Sequence, residues 1–411
     1  MNTDIASKTG QKPTLPNELI DHVLGFMDSL SLKAASLASH SLLNEARRHL
    51  FQRIVATDRL YSRSIVDLQE SIADSPWALH SQWIRCLHVI GKVPFATLIF
   101  ILSALSNLLT LELEWAQIIE IPDPLPPLPI STRTMKAVHL YEISYGASDE
   151  RTTLFAEMEF YLLHLFSSIS ELHLIASSAL RDETPWRVQT PCPPKVKVTS
   201  LELVWSTLDN AATARAHVAM LQQLLDVTSL TAFKMLTWPP SVAVGYSPIY
   251  LAAYQTLSDL GLIVALPFLG RDNDPDGSQF WSQLGLSSCH ALRTLRFVLL
   301  VFDHQLPTNG WRCVIDILST IFPSSLSKIT FSGSPAYYMP LSTSTDFPWE
   351  SLESTLIERC RDAAQVLFDS GRWDDPNDKA QFAHAVLQKL PRVNKKCVMQ
   401  FEDFDSPFMG V

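Results

Sequence analysis

A six-residue pattern, apolar-x-x-apolar-x-apolar, recurs along the chain and constrains its fold more than any other feature of the sequence. Nine copies follow one another at intervals of 24 to 35 residues. A leucine-rich chain produces single matches by chance, so the argument depends on this near-even spacing. Neighbouring side chains of a strand point to opposite faces, so the last two apolar residues of each copy share one face. Each copy therefore predicts a short strand, and the copies start at Ile84, Leu108, Met135, Ile169, Val198, Val227, Leu257, Leu292 and Leu326.

Helical stretches precede several copies, namely FATLIFILSAL, TTLFAEMEFYLLHLF, ATARAHVAMLQQLLDV and WRCVIDILSTIF. A strand, a loop and a helix about every 30 residues resemble leucine-rich repeats, although the Asn/Cys ladder of regular families is absent. Such units stack because only their neighbours can cover the apolar face of each one. We therefore predict an α/β fold in which residues 81–335 form an irregular LRR-like solenoid, with a curved, mostly parallel sheet and outer helices. A compact α/β domain of another kind is the alternative.

The pattern breaks after Ser332, and residues 336–411 are predicted to form a C-terminal capping region. Within this region, SLESTLIERCRDAAQVLF and DPNDKAQFAHAVLQKL are typical of helices, and KKCVMQF is typical of a last strand.

Residues 14–55 have a different character from the rest of the chain. They follow a polar segment, residues 1–13, which is predicted to be a disordered tail. Pro16 suits a first helical turn, and Ser31 and Ser41 can cap two further helices, LKAASLAS and LLNEARRHLFQRI. One stripe of the first helix is apolar, formed by Leu19, Ile20, Val23, Leu24 and Met27. Three helices in about forty residues bury their apolar faces poorly alone, so this module is expected to dock on something. Residues 56–80 are predicted as a linker helix.

The motif L-P-x-E-[LI]-[LI] that opens this module resembles the F-box, and the segments S-L-x-S-x-S-L and R-R-H-L-F resemble its fungal version. The matching residues are Leu15, Pro16, Glu18, Leu19, Ile20, Leu24, Leu30, Leu32, Leu37, Leu42, Arg48, His49, Leu50 and Phe51. The chain departs from many F-boxes at Leu42-Leu43, where those carry a tryptophan. The resemblance implies a three-helix module that docks the Skp-type adaptor of a cullin-RING ubiquitin ligase. The implied docking residues are Leu15, Pro16, Leu19, Ile20, Val23, Leu24, Leu32, Leu37, Leu42, Leu50 and Phe51. A helical cap on the following domain is the alternative.

Charge and cysteine usage restrict the partners and the compartment. The formal net charge is −10 and there is no basic block, so neither nucleic acid nor an anionic membrane surface is expected as a partner. The six cysteines are scattered without a C-x-x-C pair, and the polar N-terminus lacks the apolar core of a signal peptide. Polar residues interrupt the apolar stretch 93–111, which we interpret as a core helix and a strand rather than a membrane span. A cytoplasmic or nuclear protein is predicted.

The spacing of the glycines excludes several enzyme classes. The two closest glycines, Gly270 and Gly277, lie seven positions apart, so no dinucleotide loop, phosphate loop or nucleophile elbow fits the sequence. The acidic loop RDNDPDGSQFWSQ departs from the calcium-loop pattern at Gln283, where a bidentate glutamate is needed. We therefore predict no catalytic residue, no cofactor and no metal.

One residue of each copy lies between its last two apolar residues and must face the other side of the sheet. These residues are expected to line up across neighbouring repeats, on the surface that solenoids use for binding. The candidates for binding a target protein are Glu112, His139, His173, Glu202 and Arg296. The F-box resemblance implies the substrate-recognition adaptor of a Skp-cullin-F-box ubiquitin ligase, in which the array binds a target of unknown identity. The alternatives are an LRR-like interaction scaffold without a ligase and an enzyme with dispersed catalytic residues.

Overall fold

The computed structural model of the chain describes residues 16–38, 40–57, 65–74, 81–122, 124–127, 133–145, 153–175, 194–204, 211–236, 240–265, 281, 283–300, 308–333, 338, 347–370 and 375–403. The predicted tail, Leu15 and the acidic loop at 272–277 lie outside these residues. The chain divides into two compact units, one of residues 1–90 and 96–109 and one of residues 91–95 and 110–411. Within the described ranges, no helix is both long and apolar enough to cross a bilayer.

The first unit begins with three helices, α1 (Asn17–Gly25), α2 (Ser29–Ala38) and α3 (His40–Phe51). Strand β1 (Arg53–Thr57) and helix α4 (Ile65–Ala73) follow, and β1 pairs in parallel with the start of strand β2 (Cys86–Pro94). Helix α5 (Phe95–Ala104) comes directly after β2. We call α1, α2 and α3 the helical module.

The helical module has a small core of its own. Leu24, Leu32 and Ala46 are buried together, one from each helix. The carboxylate of Asp21 in α1 lies 2.8 Å from Nη2 of Arg48 and 2.7 Å from Nε2 of His49, both in α3. Apolar packing therefore joins all three helices, and the polar contacts of Asp21 also join α1 to α3.

The second unit is built around one sheet, whose strands are β3 (Thr110–Ile119), β4 (Thr134–Tyr141), β5 (Ser144–Tyr145), β6 (Ser168–Ile175), β7 (Val196–Val204), β8 (Leu225–Asp226), β9 (Ala232–Leu236), β10 (Asp259–Ala265), β11 (Thr294–Leu300), β12 (Leu326–Gly333), β13 (Cys360–Ser370) and β14 (Val398–Asp403). Its helices are α6 (Thr153–Leu163), α7 (Ala211–Leu224), α8 (Pro240–Gly245), α9 (Ser247–Ala252), α10 (Thr308–Ser319), α11 (Trp349–Arg359), α12 (Pro376–Lys389) and α13 (Pro391–Lys396). The strand order is β3-β4-β6-β7-β9-β10-β11-β12-β13-β14, with β5 beside β3 and β8 beside β7. These strand pairs are parallel.

The register aligns the apolar residues of successive strands into two rows on one face of the sheet, which we call the apolar face. The first row is Leu111, Val138, Leu172, Leu201, Phe233, Leu260, Leu295, Ile329, Val366 and Met399. The second row is Leu113, Leu140, Leu174, Leu203, Met235, Leu262, Phe297, Phe331, Phe368 and Phe401. All but the two residues on β14 are buried. Each buried side chain contributes about 1.5–3 kcal/mol of transfer free energy, so these rows are the main support of the unit.

Aromatic side chains on the helices cover the apolar face. The ring of Trp311 in α10 lies 5.0 Å from that of Phe331, and Phe382 in α12 lies 5.8 Å from Phe368. Towards the last strands, the second row itself becomes a stack of phenylalanines, with Phe297 and Phe331 5.8 Å apart and nearly parallel. Helices therefore pack on the face opposite to the candidate binding residues, which share the other face.

The strand predictions are confirmed except for the copy that starts at Val227. Residues Val227–Ser229 form a 3₁₀ turn, in which the carboxylate of Asp226 accepts a hydrogen bond from the backbone N–H of Thr228. The strand of this repeat is β9, and its pattern starts three residues later, at Leu230. Both frames satisfy the apolar spacing, so periodicity could not separate them.

The helix predicted over residues 351–368 is wrong in its second half. Helix α11 ends at Arg359, and strand β13 begins at Cys360. In this strand Ala364, Val366 and Phe368 share the apolar face and are buried, and Ala363 takes a left-handed φ of 60° where the register shifts. The last strand is confirmed as β14, so the sheet continues through the region that was predicted to cap it.

The helix ends of the first unit differ from the prediction. Asp28, not Ser31, caps α2, because the backbone N–H of Ser31 donates to its carboxylate at 2.7 Å. Pro16 is the residue before α1 rather than part of its first turn. Helix α3 stops at Phe51, since Arg53 and Ile54 belong to β1 and pair with β2.

Replacing Leu174 by alanine is expected to lower the free energy of unfolding by about 2–5 kcal/mol, because it leaves a cavity in the second apolar row. Glu171→Ala is the matched control, since Glu171 is exposed on the other face of the same strand and should change stability by less than about 0.5 kcal/mol. Urea unfolding of both variants checks this. Equal destabilisation by the two changes would contradict the assignment of faces.

Candidate functional site

The face of the sheet opposite to the apolar face carries a row of polar side chains across neighbouring strands. The register pairs Glu112 with His139, His139 with His173, His173 with Glu202, and Glu202 with Lys234. The row continues through Gly261, Arg296, Thr330, Leu367 and Gln400. All five residues that the sequence proposed as target-binding candidates therefore stand in one row, as the spacing predicts. We call this face the polar face.

Four side chains in the middle of the row contact one another. The imidazole rings of His139 and His173 stack with their centroids 4.2 Å apart. Nδ1 of His173 lies 2.9 Å from Oε2 of Glu202 without hydrogen-bond alignment, and Nζ of Lys234 donates to Oε1 of the same carboxylate. Glu202 is only 7% exposed, so a nearly buried carboxylate holds the group together.

The ionisation of this group follows from its burial and its charges. Burial alone would raise the pKa of Glu202, but the approach of His173 and the charge of Lys234 outweigh it and lower the pKa. The pKa of His139 is lowered by burial and by His173 beside it, which favours the neutral ring. The pKa of Tyr141 is raised to about 12 by burial and by the carboxylates of Glu202, Glu112 and Glu114. The carboxylates of Glu202, Glu112 and Glu114 therefore lie close enough together to act on one phenol group.

Lys234 completes this group, and the sequence prediction missed it. The frame that started at Val227 put Thr231 at the central position of the repeat, three residues too early. The correct frame is visible in the sequence as LTAFKM, with Leu230, Phe233 and Met235 in the apolar positions. The neighbouring Gly261 leaves room for the lysine, because a Cβ there would lie 3.0 Å from Cγ of Lys234.

Arg296 belongs to a second polar cluster, on β11, β12 and β13. Its Nε donates to Oγ of Ser332 at 3.1 Å, and its Nη2 lies 3.4 Å from Oδ2 of Asp369. Oγ of Ser332 donates to the same carboxylate oxygen at 3.1 Å. Burial raises the pKa of Asp369, although the hydrogen bond from Ser332 and the charge of Arg296 act against it. Sequence analysis missed Ser332 because it lies two residues beyond the central position of its strand, and it missed Asp369 because the strand β13 was not predicted.

The docking residues implied for the helical module fall into three classes of exposure. Leu19, Val23 and Leu37 are 50%, 60% and 87% exposed, and Pro16 is exposed as well. Ile20, Leu42, Leu50 and Phe51 are half-buried. Leu24 and Leu32 lie in the core of the module, so they are not available to a partner, whereas the sequence predicted that they dock. Phe26 and Leu30, which were not among the implied docking residues, are 80% and 74% exposed.

Within the part of the chain that the structure describes, no group of three or more His, Cys, Asp or Glu side chains could hold a metal ion. Comparison with models of known protein families and with curated proteins gives no match for this chain.

Glu202→Gln is expected to lower the free energy of unfolding by about 1–3 kcal/mol at neutral pH, because it removes the carboxylate that holds Lys234 and contacts His173. The folded structure stabilises the ionised form of the Glu202 side chain, because the pKa of this carboxyl group lies below its ordinary value of 4.5. The contribution is therefore complete above about pH 4.5 and is lost as the pH falls through the lowered pKa.

Urea unfolding at a series of pH values measures this difference between the wild-type chain and Glu202→Gln. Glu171→Gln removes an exposed carboxylate from the same face and should leave stability almost unchanged throughout. If the difference in free energy of unfolding between the wild-type chain and Glu202→Gln does not become smaller at acidic pH, the fold does not stabilise the ionised carboxylate.

Proposed function

We propose that this protein is the substrate-recognition adaptor of a Skp-cullin-F-box ubiquitin ligase. In this proposal the helical module docks a Skp-type adaptor, and the second unit, an irregular LRR-like solenoid, binds the target on its polar face. The protein itself carries out no chemistry. It raises the effective concentration of the target near the ubiquitin-loaded enzyme, which is sufficient to accelerate transfer. The proposal implies a cytoplasmic or nuclear location.

The observation that carries the proposal is the apolar surface of the helical module. Large apolar side chains that remain exposed in this module are Leu19, Val23, Phe26, Met27, Leu30 and Leu37. The module buries only a few apolar residues in return. A concentration of large exposed apolar side chains on a small module is typical of a protein interface. The F-box resemblance of residues 14–55 assigns that interface to a Skp-type adaptor.

The second unit supports a binding role rather than a purely structural one. Two rows of buried apolar residues and their covering helices fix the sheet, and polar side chains are presented on its other face. A rigid support of this kind lowers the entropy cost of binding, because the contacting side chains are held in place before the partner arrives.

The combined variant Leu19→Asp/Val23→Asp is expected to weaken binding of a purified Skp-type adaptor about a hundredfold or more, since burying each side chain is worth about 1.5–3 kcal/mol. Both residues are at least half exposed, so the module should keep its fold. Val66→Asp is the matched control, because Val66 is 42% exposed on α4, outside the helical module. Titration calorimetry with the full chain measures all three proteins.

Binding that survives in Leu19→Asp/Val23→Asp at the wild-type level would contradict the F-box assignment. Failure of the wild-type chain to bind any Skp-type adaptor would favour the alternative, an LRR-like scaffold that works without a ligase. Circular dichroism of each variant confirms that the helices are retained.

A further inference from the structure

One oxygen of a buried carboxylate on the polar face accepts no hydrogen bond from the described part of the chain. Asp369 on β13 is 6% exposed. Its Oδ2 accepts from Ser332 and faces Arg296, but its Oδ1 has no hydrogen-bond partner in the described part of the chain. A buried acceptor without a hydrogen bond costs about 1–3 kcal/mol of stability, and more when it is charged. Its presence in a folded protein therefore needs an explanation.

A second acidic side chain lies next to this carboxylate. The register pairs Asp369 directly with Glu402 on β14, and the charge of Glu402 contributes to the raised pKa of Asp369. Like charges directly opposite each other on neighbouring strands destabilise a sheet. The charges of Arg296 and Lys328 act against this repulsion. Arg296 approaches from β11, on the other side of β12, and its Nη2 lies 3.4 Å from Oδ2.

The same face is also acidic at its other end. Glu112, Glu114 and Glu202 raise the pKa of Tyr141, and Glu171 is exposed beside them. Five strand spacings separate Glu202 from Asp369, or about 24 Å, which an extended peptide of about seven residues can span. The six carboxylates named on this face outnumber the cationic groups of Lys234, Arg296 and Lys328, so the charge of the face suits a cationic ligand.

We propose that the polar face binds a basic segment of a partner protein, and that a lysine or arginine of this segment is anchored between Asp369 and Glu402. The cationic head pairs with the exposed carboxylate of Glu402 and relieves the repulsion between it and Asp369, whose Oδ1 is itself shielded from solvent. The remaining basic residues of the segment lie along the face towards Glu202, Glu112 and Glu171. This inference deepens the proposed function, on which it rests for the role of the polar face, by naming the chemistry of the target.

The probe is a fluorescein-labelled peptide of about ten residues, alternating lysine and serine, which is long enough to reach from Asp369 to Glu202. Fluorescence anisotropy measures its binding to the full chain at neutral pH. We expect saturable binding that Asp369→Asn/Glu402→Gln weakens about tenfold or more, because both carboxylates that attract the cationic head lose their charge. Glu350→Gln is the matched control, since Glu350 is an exposed acid in the first turn of α11 and should leave the affinity unchanged. The same peptide with acetylated lysines should not bind.

Three results would overturn the inference. They are no saturable binding of the lysine peptide, equal weakening by Glu350→Gln, and unchanged affinity in the double variant. If Asp369→Asn disturbs the fold, as judged by its melting temperature, Glu402→Gln alone serves as the test, because Glu402 is exposed. This test can fail while the proposed function stands, because binding of the Skp-type adaptor depends on Leu19 and Val23, which lie in the other unit. Adaptor binding without peptide binding would reject only the basic target.

Discussion

The hydrogen-bonded register between parallel strands is the constraint on which the second unit depends. It places equivalent residues of successive repeats side by side, about 4.8 Å apart, so any property that recurs in the sequence becomes a row in space. Apolar recurrence gives the two rows that contain Leu174 and Phe331, and polar recurrence gives the row that contains His173 and Glu202. A shift by one residue would exchange the two faces, which the buried rows strongly oppose. The candidate site is thus a by-product of the same alignment that stabilises the sheet.

Much of the sheet could be predicted because its signal is periodic. Strands such as β6 and β7, with the sequences ISELHL and VTSLEL, were predicted with their correct faces. The secondary-structure predictions are wrong where the sequence fits two repeat frames, or where it fits both a helical and a strand pattern. Leu230 fits either frame of its repeat until the capped turn at Asp226 fixes the choice. The residues after Arg359 continue a helical pattern, and only their pairing with β12 shows that a strand has begun.

The candidate site was harder to predict, for a related reason. A sequence shows which residues stand at equivalent positions, so Glu112, His139, His173, Glu202 and Arg296 could be placed in one row. It does not show which charges are compensated. Lys234 was missed because the repeat was read in the wrong frame. Asp369 is recognisable only from its burial, its distance from Arg296 and its oxygen Oδ1, which accepts no hydrogen bond. In the helical module, likewise, periodicity found the apolar stripe but could not tell buried Leu24 from exposed Val23.

Gly261 interrupts the polar row between Lys234 and Arg296. With no side chain at this position, the stem of Lys234 occupies the space beside the glycine. Glu202 and Asp369 lie five strand spacings apart, and groups more than about 7–10 Å apart usually contribute additively. A substitution in one half can change its preference for a ligand without disturbing the other. The glycine thereby divides the polar face into two parts whose contributions to ligand affinity can be changed independently.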